Sequence, residues 1–553
     1  MARPSFPGRG PDTNQACGAR GGDTGDVPLP AEVDAVVVGA GPNGLVGANR
    51  LADAGWDVLL VEAQPEVGGA VRSDREVDPA FVSDTFSAFY PMAAVSPAIT
   101  SLGLERFGLE WSHAPAVLGH PRRDGSWALL HHDEDVTAGL LDAAHPGDGE
   151  AWHELVGRWR IVQPGLIGSL LTPIPPVRSG VRFLTELARV GGLGFVRELL
   201  VPAAHLAERR FGGDGPSLLV AGNACHADIP LDAAGSGFIG LLLTMLGQTV
   251  GFPAPTGGAQ ALSEALRARF EAAGGTVATS TPVTGIRVAG GRAVAVQTAD
   301  GEVRVRRSVL ADVGAEQLFG GLVDAADLPA RTTRKMDGFR RDPATFKVDY
   351  ALDGPVPWAG TPAYAPGTVH IADSVPAMSA YSNQLDSGFV PADPYVLVGQ
   401  MTTTDPSRSP AGTESLWAYT HVPQEVRGDA GDDGLTGSWD TSEAERFADR
   451  LQARIEAFAP GFGSRVRSRR ILTPADLEHR DANLVGGSLN GGSSAVDQQL
   501  VFRPFAGTGR SETPVRGLYL ASASAHPGGS VHGACGMNAA RAALWWDRLR
   551  LSR

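Results

Sequence analysis

The chain has 553 residues, 71 of them glycine, with 47 basic against 61 acidic side chains and a formal charge of −14. That length exceeds one simple core and implies two or three domains, and the acidic balance, with no run of basic residues interleaved with aromatics, argues against a nucleic-acid surface. The three cysteines, Cys17, Cys225 and Cys535, are too far apart for a CxxC or CxxxH pair, so reduced thiols in a cytoplasmic protein are expected.

Residues 1–30 are rich in Gly, Pro and Arg and lack the apolar core of a secretory signal, which predicts a disordered tail. The first ordered element is an apolar, β-branched strand, Val33 to Val38, running into Gly39-x-Gly41-x-x-Gly44. A helix to about Ala54, ended by Gly55, and a second strand, Trp56 to Val61, follow. Each glycine has its own duty: Gly39 permits the tight turn, Gly41 lets the backbone approach a pyrophosphate, and Gly44 lets helix pack on strand. Pro42 and Asn43 open the helix, whose N–H groups and partial positive charge face the phosphates. Glu62 stands eighteen positions after Gly44, where a carboxylate accepts both ribose hydroxyls of an adenosine and disfavours a 2′-phosphate.

Gly68 to Ser73, GGAVRS, begins six positions after Glu62 and resembles the GG motif of the glutathione-reductase-like flavoproteins. That resemblance implies FAD, with contacts at Ala63, Gly69 and Ala70. The family's arginine directly after the glycines is Ala70 here, which leaves Arg72 as its nearest substitute. No second GxGxxG sits between a strand and a helix, so no built-in NAD domain is expected; electrons would leave to oxygen, a quinone or another free acceptor.

Between residues 111 and 250 the dinucleotide signals stop. His131, His132, Asp133, Asp135, His145 and His153 fit no single helical face, and Asp135 and Asp148 read as helix N-caps, so no metal is expected. Apolar helical stretches spaced by Pro and Gly, from Gly165 to Phe211, suit either plain helical core or a lid over a hydrophobic substrate. The apolar run starting at Gly237 is shorter than the roughly 18 residues a membrane span needs; it reads as a buried helix, or as a contact with a lipid-like ligand or a membrane surface.

From Gly251 to Gly301 the pattern predicts a Gly-Gly turn, an amphipathic helix, a short strand TVATS and a β-meander. Further on, ATFKVDYAL alternates Phe346, Val348, Tyr350 and Leu352 on one face with Thr345, Lys347, Asp349 and Ala351 on the other. The first face is core; the second could line a cavity. Only two of the 47 basic residues are lysine, Lys335 and Lys347. An exposed pair with Asp349 would be served equally by arginine, whereas lysine is a compact point charge that shifts its pKa readily. The strand is similar to one in monoamine-oxidase-like flavoproteins whose lysine holds a water against flavin N5. Two readings stand for Lys347: that role, or an ion pair with Asp349 on a solvated face.

The C-terminal Arg516 to Trp546 reads as strand, Gly-rich turn and helix, the helix starting near Val531 or His532 with its N-terminus aimed at an anion. The fingerprint, the GGAQALSEAL block, VFRP at Val501 to Pro504 and LYLASASAHPGGSVHGACGMNAARAAL together resemble the phytoene desaturase-like flavoproteins, which include carotenoid desaturases and ketolases. The resemblance implies FAD contacts at Val283, two residues into a new strand, and at Ser522, Ala523, Val531, His532 and Gly533, with His526 beside the flavin. Ala521-Ser522-Ala523 replaces the usual Ala-Gly-Ala, and Cys535 stands where a proline is frequent.

The expected fold is α/β, a Rossmann-type FAD-binding domain of the glutathione-reductase and amine-oxidase-like kind with an interleaved α+β substrate domain. Residues 31–110, 251–320 and 470–553 would form the FAD domain, and 111–250 and 321–469 the substrate or lid domain. The expected function is an FAD-dependent oxidoreductase, a dehydrogenase or desaturase, taking a hydride from a hydrophobic small molecule, with Lys347 and His526 as catalytic candidates. C–N oxidation, ketolase-like oxygenation and a non-catalytic FAD scaffold are the alternatives. The protein would be cytoplasmic, with peripheral membrane contact open.

Overall fold

The computed structural model describes residues 29–551, so Cys17 and nearly all of the expected tail lie outside the described residues. Two seven-stranded sheets organise the chain. In the first, the order is Val283–Ala289, Arg292–Thr298, Gly301–Ala311, Glu32–Val38, Val58–Val61, Thr276–Ala278, and Leu518–Leu520 joins Gly301–Ala311. The strand Gly301–Ala311 has two roles: its start pairs antiparallel with the meander, and its end runs parallel to Glu32–Val38 and Leu518–Leu520. Val36 and Val37 are fully buried, as a parallel strand covered on both faces requires. The helix Pro42–Asp53 packs against the C-terminal helix Ala534–Leu551, and Gly55 has φ +77°, the left-handed geometry expected where that first helix stops.

The second sheet runs Val466–Leu472, Ala344–Leu352, Glu414–Val422, Val396–Gln400, Pro366–Ile371, Ala116–Pro121, Trp127–Leu130. Its pairs are antiparallel except Pro366–Ile371 against Ala116–Pro121. Because Val466–Leu472 is hydrogen-bonded to the Lys347 strand, the second unit extends to Leu472, past the boundary expected at 470. Phe346, Val348, Tyr350 and Leu352 pack with Phe447, Leu451 and Ile455 of the helix Thr441–Glu456, which makes that face core.

Several local expectations shift. Asp133, not Asp135, caps the helix Glu134–Ala144, its side chain accepting the Asp135 N–H. Asp148 lies inside the next helix, Asp148–Leu170, and its carboxylate instead accepts the N–H groups of Gly212 and Gly213 at 2.8 and 2.9 Å. Val283 is the first residue of its strand rather than the third. The C-terminal helix starts at Ala534, two or three residues late, because Gly533 has φ +66° and the His532 Nδ1 accepts the Ala534 N–H at 3.0 Å.

The two units are joined by buried charge. Arg408, fully buried, donates to Asp84 Oδ2 at 3.0 Å, to Asp405 Oδ2 at 2.9 Å and to the Pro255 carbonyl at 3.1 Å, so one guanidinium ties three distant segments. Removing one partner of a buried pair leaves uncompensated charge, at a cost of about 3–5 kcal/mol. Arg408→Ala is therefore expected to lower the urea midpoint of unfolding markedly, whereas Arg123→Ala, at an exposed pair with Asp373, should leave it nearly unchanged.

Candidate active site

The turn after the first strand is built from glycines because nothing larger fits. Gly39 has φ +93°, and a Cβ on Gly44 would lie 2.1 Å from the Gly39 carbonyl oxygen. A Cβ on Gly41 would meet the Asp312 carboxylate at 2.8 Å, so its missing side chain makes room for a residue of the chain itself as well as for a pyrophosphate. Asp312 follows directly on Gly301–Ala311, where the strand order turns from parallel sheet to meander, and its Oδ2 accepts the Gly44 N–H at 2.7 Å. Sequence reading missed it; an acid directly after a strand that pairs with the first one was the available signal.

Around this turn stand most of the expected cofactor residues. Glu62 is buried at the end of Val58–Val61, and its two oxygens accept the N–H groups of Ala40 at 2.7 Å and Gln64 at 2.9 Å. Burial pushes its carboxyl up, against the pull of those two amides. Ala63 lies between Glu62 and Gln64, and the segment leading to Val283 lies alongside, with the Thr281 N–H donating to the Glu62 carbonyl at 2.7 Å. The second glycine pair is in backbone contact with the first: the Gly68 N–H donates to the Ala40 carbonyl at 2.8 Å, and a Cβ on Gly69 would lie 3.1 Å from the Gly41 Cα. Arg72 folds back over this turn, donating to the Gly69 carbonyl at 3.0 Å and the Arg480 carbonyl at 2.6 Å. Ala70 faces away, into an apolar cluster with Phe86 and Leu477.

The C-terminal turn closes the opposite end. A Cβ on Gly536 would sit 1.7 Å from the Asn43 carbonyl oxygen, and one on Gly533 would sit 2.7 Å from Val46, so this turn presses on the start of the first helix. The Ala521 N–H donates to the Ala311 carbonyl at 2.8 Å, which carries Ser522 and Ala523 past the end of the same strand as Asp312. Behind them Arg503, fully buried, donates to the carbonyls of Ala523, Asn490 and Ser493 at 2.9, 2.6 and 2.9 Å. Val531 packs on the first sheet's helical core. His526 and His532 are both buried and burial holds them below the ordinary imidazole range, His532 at about 4. The His526 Nε2 is 3.0 Å from the Thr172 carbonyl, which ties the turn to the second unit. Cys535 is a free, buried thiol directed at the carbonyls of Ala525 and Gly528, and burial raises it to about 12.

Lys347 lies on the same face of the second sheet as His421, 3% exposed, so the pair with Asp349 forms but is not on a solvated face. Its Nζ also donates to the Asp84 carbonyl at 2.7 Å. Asp349 is shared with Arg470 Nη2 at 2.7 Å, and Arg470 reaches Asp74 at 2.8 Å. Burial depresses the lysine's pKa, with Asp349 opposing. On the neighbouring strand Tyr419 stands directly opposite Lys347, flanked by Trp417 and His421. The Trp417 and Tyr419 rings are stacked, 5.7 Å apart and 29° from parallel. The alternation in Glu414–Val422, Trp417, Tyr419, His421, carried this aromatic row in the sequence, unread. Also unread, His226 and His370 meet Nε2 to Nε2 at 3.0 Å; burial holds both below the normal range, so the pair is neutral and one ring donates to the other. An open cleft of about 700 Å³, lined by Phe339, Arg340, Pro343, Ser493 and Asp497 among others, shares Asp228, Ile229 and Leu385 with a narrower pocket that ends at Cys225, Tyr381 and His421. Among the described residues the histidines and acids between His131 and His153 do not assemble as a whole: Asp135 and His153 meet Glu134 at the surface, and His145 pairs separately with Asp148 at 3.5 Å.

The family described as flavin containing amine oxidoreductase matches residues 43–313. Over 93% of the chain, 28% of residues are identical to pyridine nucleotide-disulfide oxidoreductase domain-containing protein 2 of Mus musculus, covering 93% of that protein. One of the subunits of limonene dehydrogenase from Castellaniella defragrans is 25% identical, and the lycopene-forming phytoene desaturase of Pantoea ananas 24%, each over 93% of this chain and covering 96% and 99% of their own lengths. The chain is an FAD-dependent oxidoreductase that resembles the phytoene desaturases. Its fold is that of putrescine oxidase, whose structure bound to putrescine superposes with a TM-score of 0.58 at 18% identity, over 94% of this chain and 99% of that one.

The residues present fit FAD. Two glycine turns meet backbone to backbone, and the Arg72 guanidinium beside them is bonded only to carbonyls. A buried carboxylate ends the second strand, and the buried Asn43 Oδ1 and His532 Nε2 have no hydrogen-bond partner among the described residues. Gly44→Ala, with no room for its methyl, is expected to yield protein that loses its yellow colour on gel filtration. Gly157→Ala, in open space on the helix Asp148–Leu170, should keep full flavin content and gain up to about 1 kcal/mol of stability.

Proposed function

We propose that this flavoprotein oxidises a hydrophobic small molecule by hydride removal, that the first sheet's segments form the FAD domain, and that the second sheet's segments form the substrate domain. The observation that carries this is the Lys347 face of the second sheet. There Lys347, Trp417, Tyr419 and His421 stand side by side, and His421 lines the narrower pocket with Tyr381 and Cys225. FAD, when bound, supplies the hydride acceptor at N5.

The chain's own residues do the rest. Cys225, Ala227, Tyr381, Ser382 and His421 line the narrower pocket together with the carboxylates Asp228 and Asp386, and His421, held at about 4 by burial against the pull of Asp228, is neutral. The apolar part of that lining, Ile229, Pro230, Pro343 and Leu385, suits the hydrocarbon body of a substrate. Limonene and phytoene, in the names of two relatives, are hydrocarbons, in keeping with that reading. Lys347 is pinned by the Asp84 carbonyl and Asp349, which leaves its third N–H to hold a water beside the flavin and to place positive charge where negative charge develops. Arg72, Glu62, Asn43 and the turn Ser522 to Gly533 hold the dinucleotide, and His526 braces the turn rather than moving a proton. Electrons pass to oxygen or a quinone.

C–N oxidation is the second reading, favoured by the stacked Trp417 and Tyr419 beside Lys347. Anaerobic mixing with terpenoid hydrocarbons and alcohols is expected to bleach the flavin, and primary amines to leave it oxidised; bleaching by amines alone would reverse the choice. Lys347→Met should slow reoxidation by oxygen at least tenfold in stopped flow with FAD retained, and an unchanged rate would confine Lys347 to the ion pair.

Peripheral membrane contact belongs to the same proposal. No helix of the described residues is long and apolar enough to cross a membrane. The helix Val177–Arg189 instead exposes Val177, Val181 and Leu184 one turn apart, with Arg178 and Arg189 outward and Leu193 following. An apolar stripe edged by arginine suits an anionic lipid surface. Flotation with anionic vesicles is expected for the parent protein and not for Leu184→Asp; equal flotation of both would remove the helix from this role.

A further inference from the structure

Asp312 is buried, and among the described residues no cationic side chain lies within 4 Å of its carboxylate. Its Oδ2 takes the Gly44 N–H at the start of the first helix, its carbonyl accepts the Asn483 Nδ2 at 3.0 Å, and its side chain fills the space that Cβ atoms on Gly41 and Gly44 would need. The charged and titratable groups facing it are Glu62 at the end of the second strand, Asp481 of the segment behind the Gly68–Gly69 turn, and the Cys535 thiol of the C-terminal helix. Arg72 acts on Glu62 and Asp481 and makes no bond to Asp312. This is therefore an acid-rich pocket at the turn where the pyrophosphate of a dinucleotide, itself anionic, is received.

We propose that Asp312 serves the dinucleotide site as a neutral carboxylic acid, so that FAD binding is coupled to a proton held on this side chain. The phosphate-binding helix then keeps its Gly44 N–H satisfied by the acid's uncharged oxygen, and the remaining O–H is a donor rather than a negative charge beside the phosphates. Burial already pushes this carboxyl up to about 8, and neighbouring anions push the same way. The sign follows. A group whose pKa rises further on binding supports affinity fully below its pKa in the free protein, and that support is lost as pH climbs through it, by about tenfold per pH unit.

The inference rests on the FAD assignment, and titration of the apoprotein with FAD separates the two. Flavin fluorescence followed from pH 6 to 9.5 is expected to show constant affinity at the acid end and a fall of about tenfold per unit above pH 8. Calorimetry in two buffers of different ionisation heat should show uptake approaching one proton at the alkaline end. Asp312→Asn, isosteric and permanently neutral, should bind at pH 9 as the parent does at pH 7, with the uptake gone. A flat profile without proton uptake overturns the proposal, as does an Asn variant whose affinity falls in parallel with the parent, which would assign the proton to Glu62 or Asp481. If the Asn variant does not fold, uptake is measured on Glu62→Gln and Asp481→Asn: uptake kept by both assigns the proton to Asp312, and its loss in either overturns the proposal. An apoprotein that binds no FAD at any pH overturns both this inference and the cofactor assignment.

Discussion

The two halves of this molecule depend on one buried junction of charge. Asp84 gives its carboxylate to Arg408 and its main-chain carbonyl to Lys347, and Lys347 passes through Asp349 to Arg470 and Asp74. Charges removed from water persist only when paired and hydrogen-bonded, and here every member has a partner from a distant part of the chain. Asp84 lies in the short strand Ser83–Asp84, early in the chain, while Lys347, Asp349 and Arg470 lie on two neighbouring strands of the second sheet. The junction therefore ties the Lys347 face of that sheet to the N-terminal part of the chain, and it does so with the lysine proposed to serve the chemistry.

A second electrostatic contrast runs along the cofactor site. At the first glycine turn Glu62 and Asp312 are buried and Asp481 is half-buried, and the pKa of each is raised, burial first. Behind the C-terminal turn the buried Arg503 is satisfied by carbonyls and carries no ion pair among the described residues. A charge left unbalanced in a low-dielectric interior acts over several ångströms. The two turns thus differ in sign, with latent negative charge at the first and fixed positive charge behind the second.

The glycine fingerprint, Glu62 and the GG pair were legible because each is a local backbone requirement: a positive φ, a close approach, an acid at a strand end. The strand around Lys347 was legible from its period of two, down to which face is core. Asp312 was not, because it stands 268 residues from the Gly44 amide it meets and its strand carries no motif of its own. The strand Val466–Leu472 runs across the boundary expected at 470, because nothing local marks which sheet an Arg-rich edge strand joins. Lys347 was read as either a flavin ligand or a surface pair; the pair forms, but in the interior.

Taken alone, the sequence determined that a dinucleotide turn follows the first strand, that the cofactor is of the FAD kind, and which face of the Lys347 strand is core. These are short-range consequences of glycine conformational freedom, side-chain periodicity and helix polarity. Only the tertiary structure decided that Trp417 and Tyr419 flank Lys347, that His226 meets His370, that Arg408 holds the two units together and that Asp312 occupies the phosphate turn. Each of those is a meeting of segments remote in sequence, and burial and pairing of charge across such distances leave no local pattern to read.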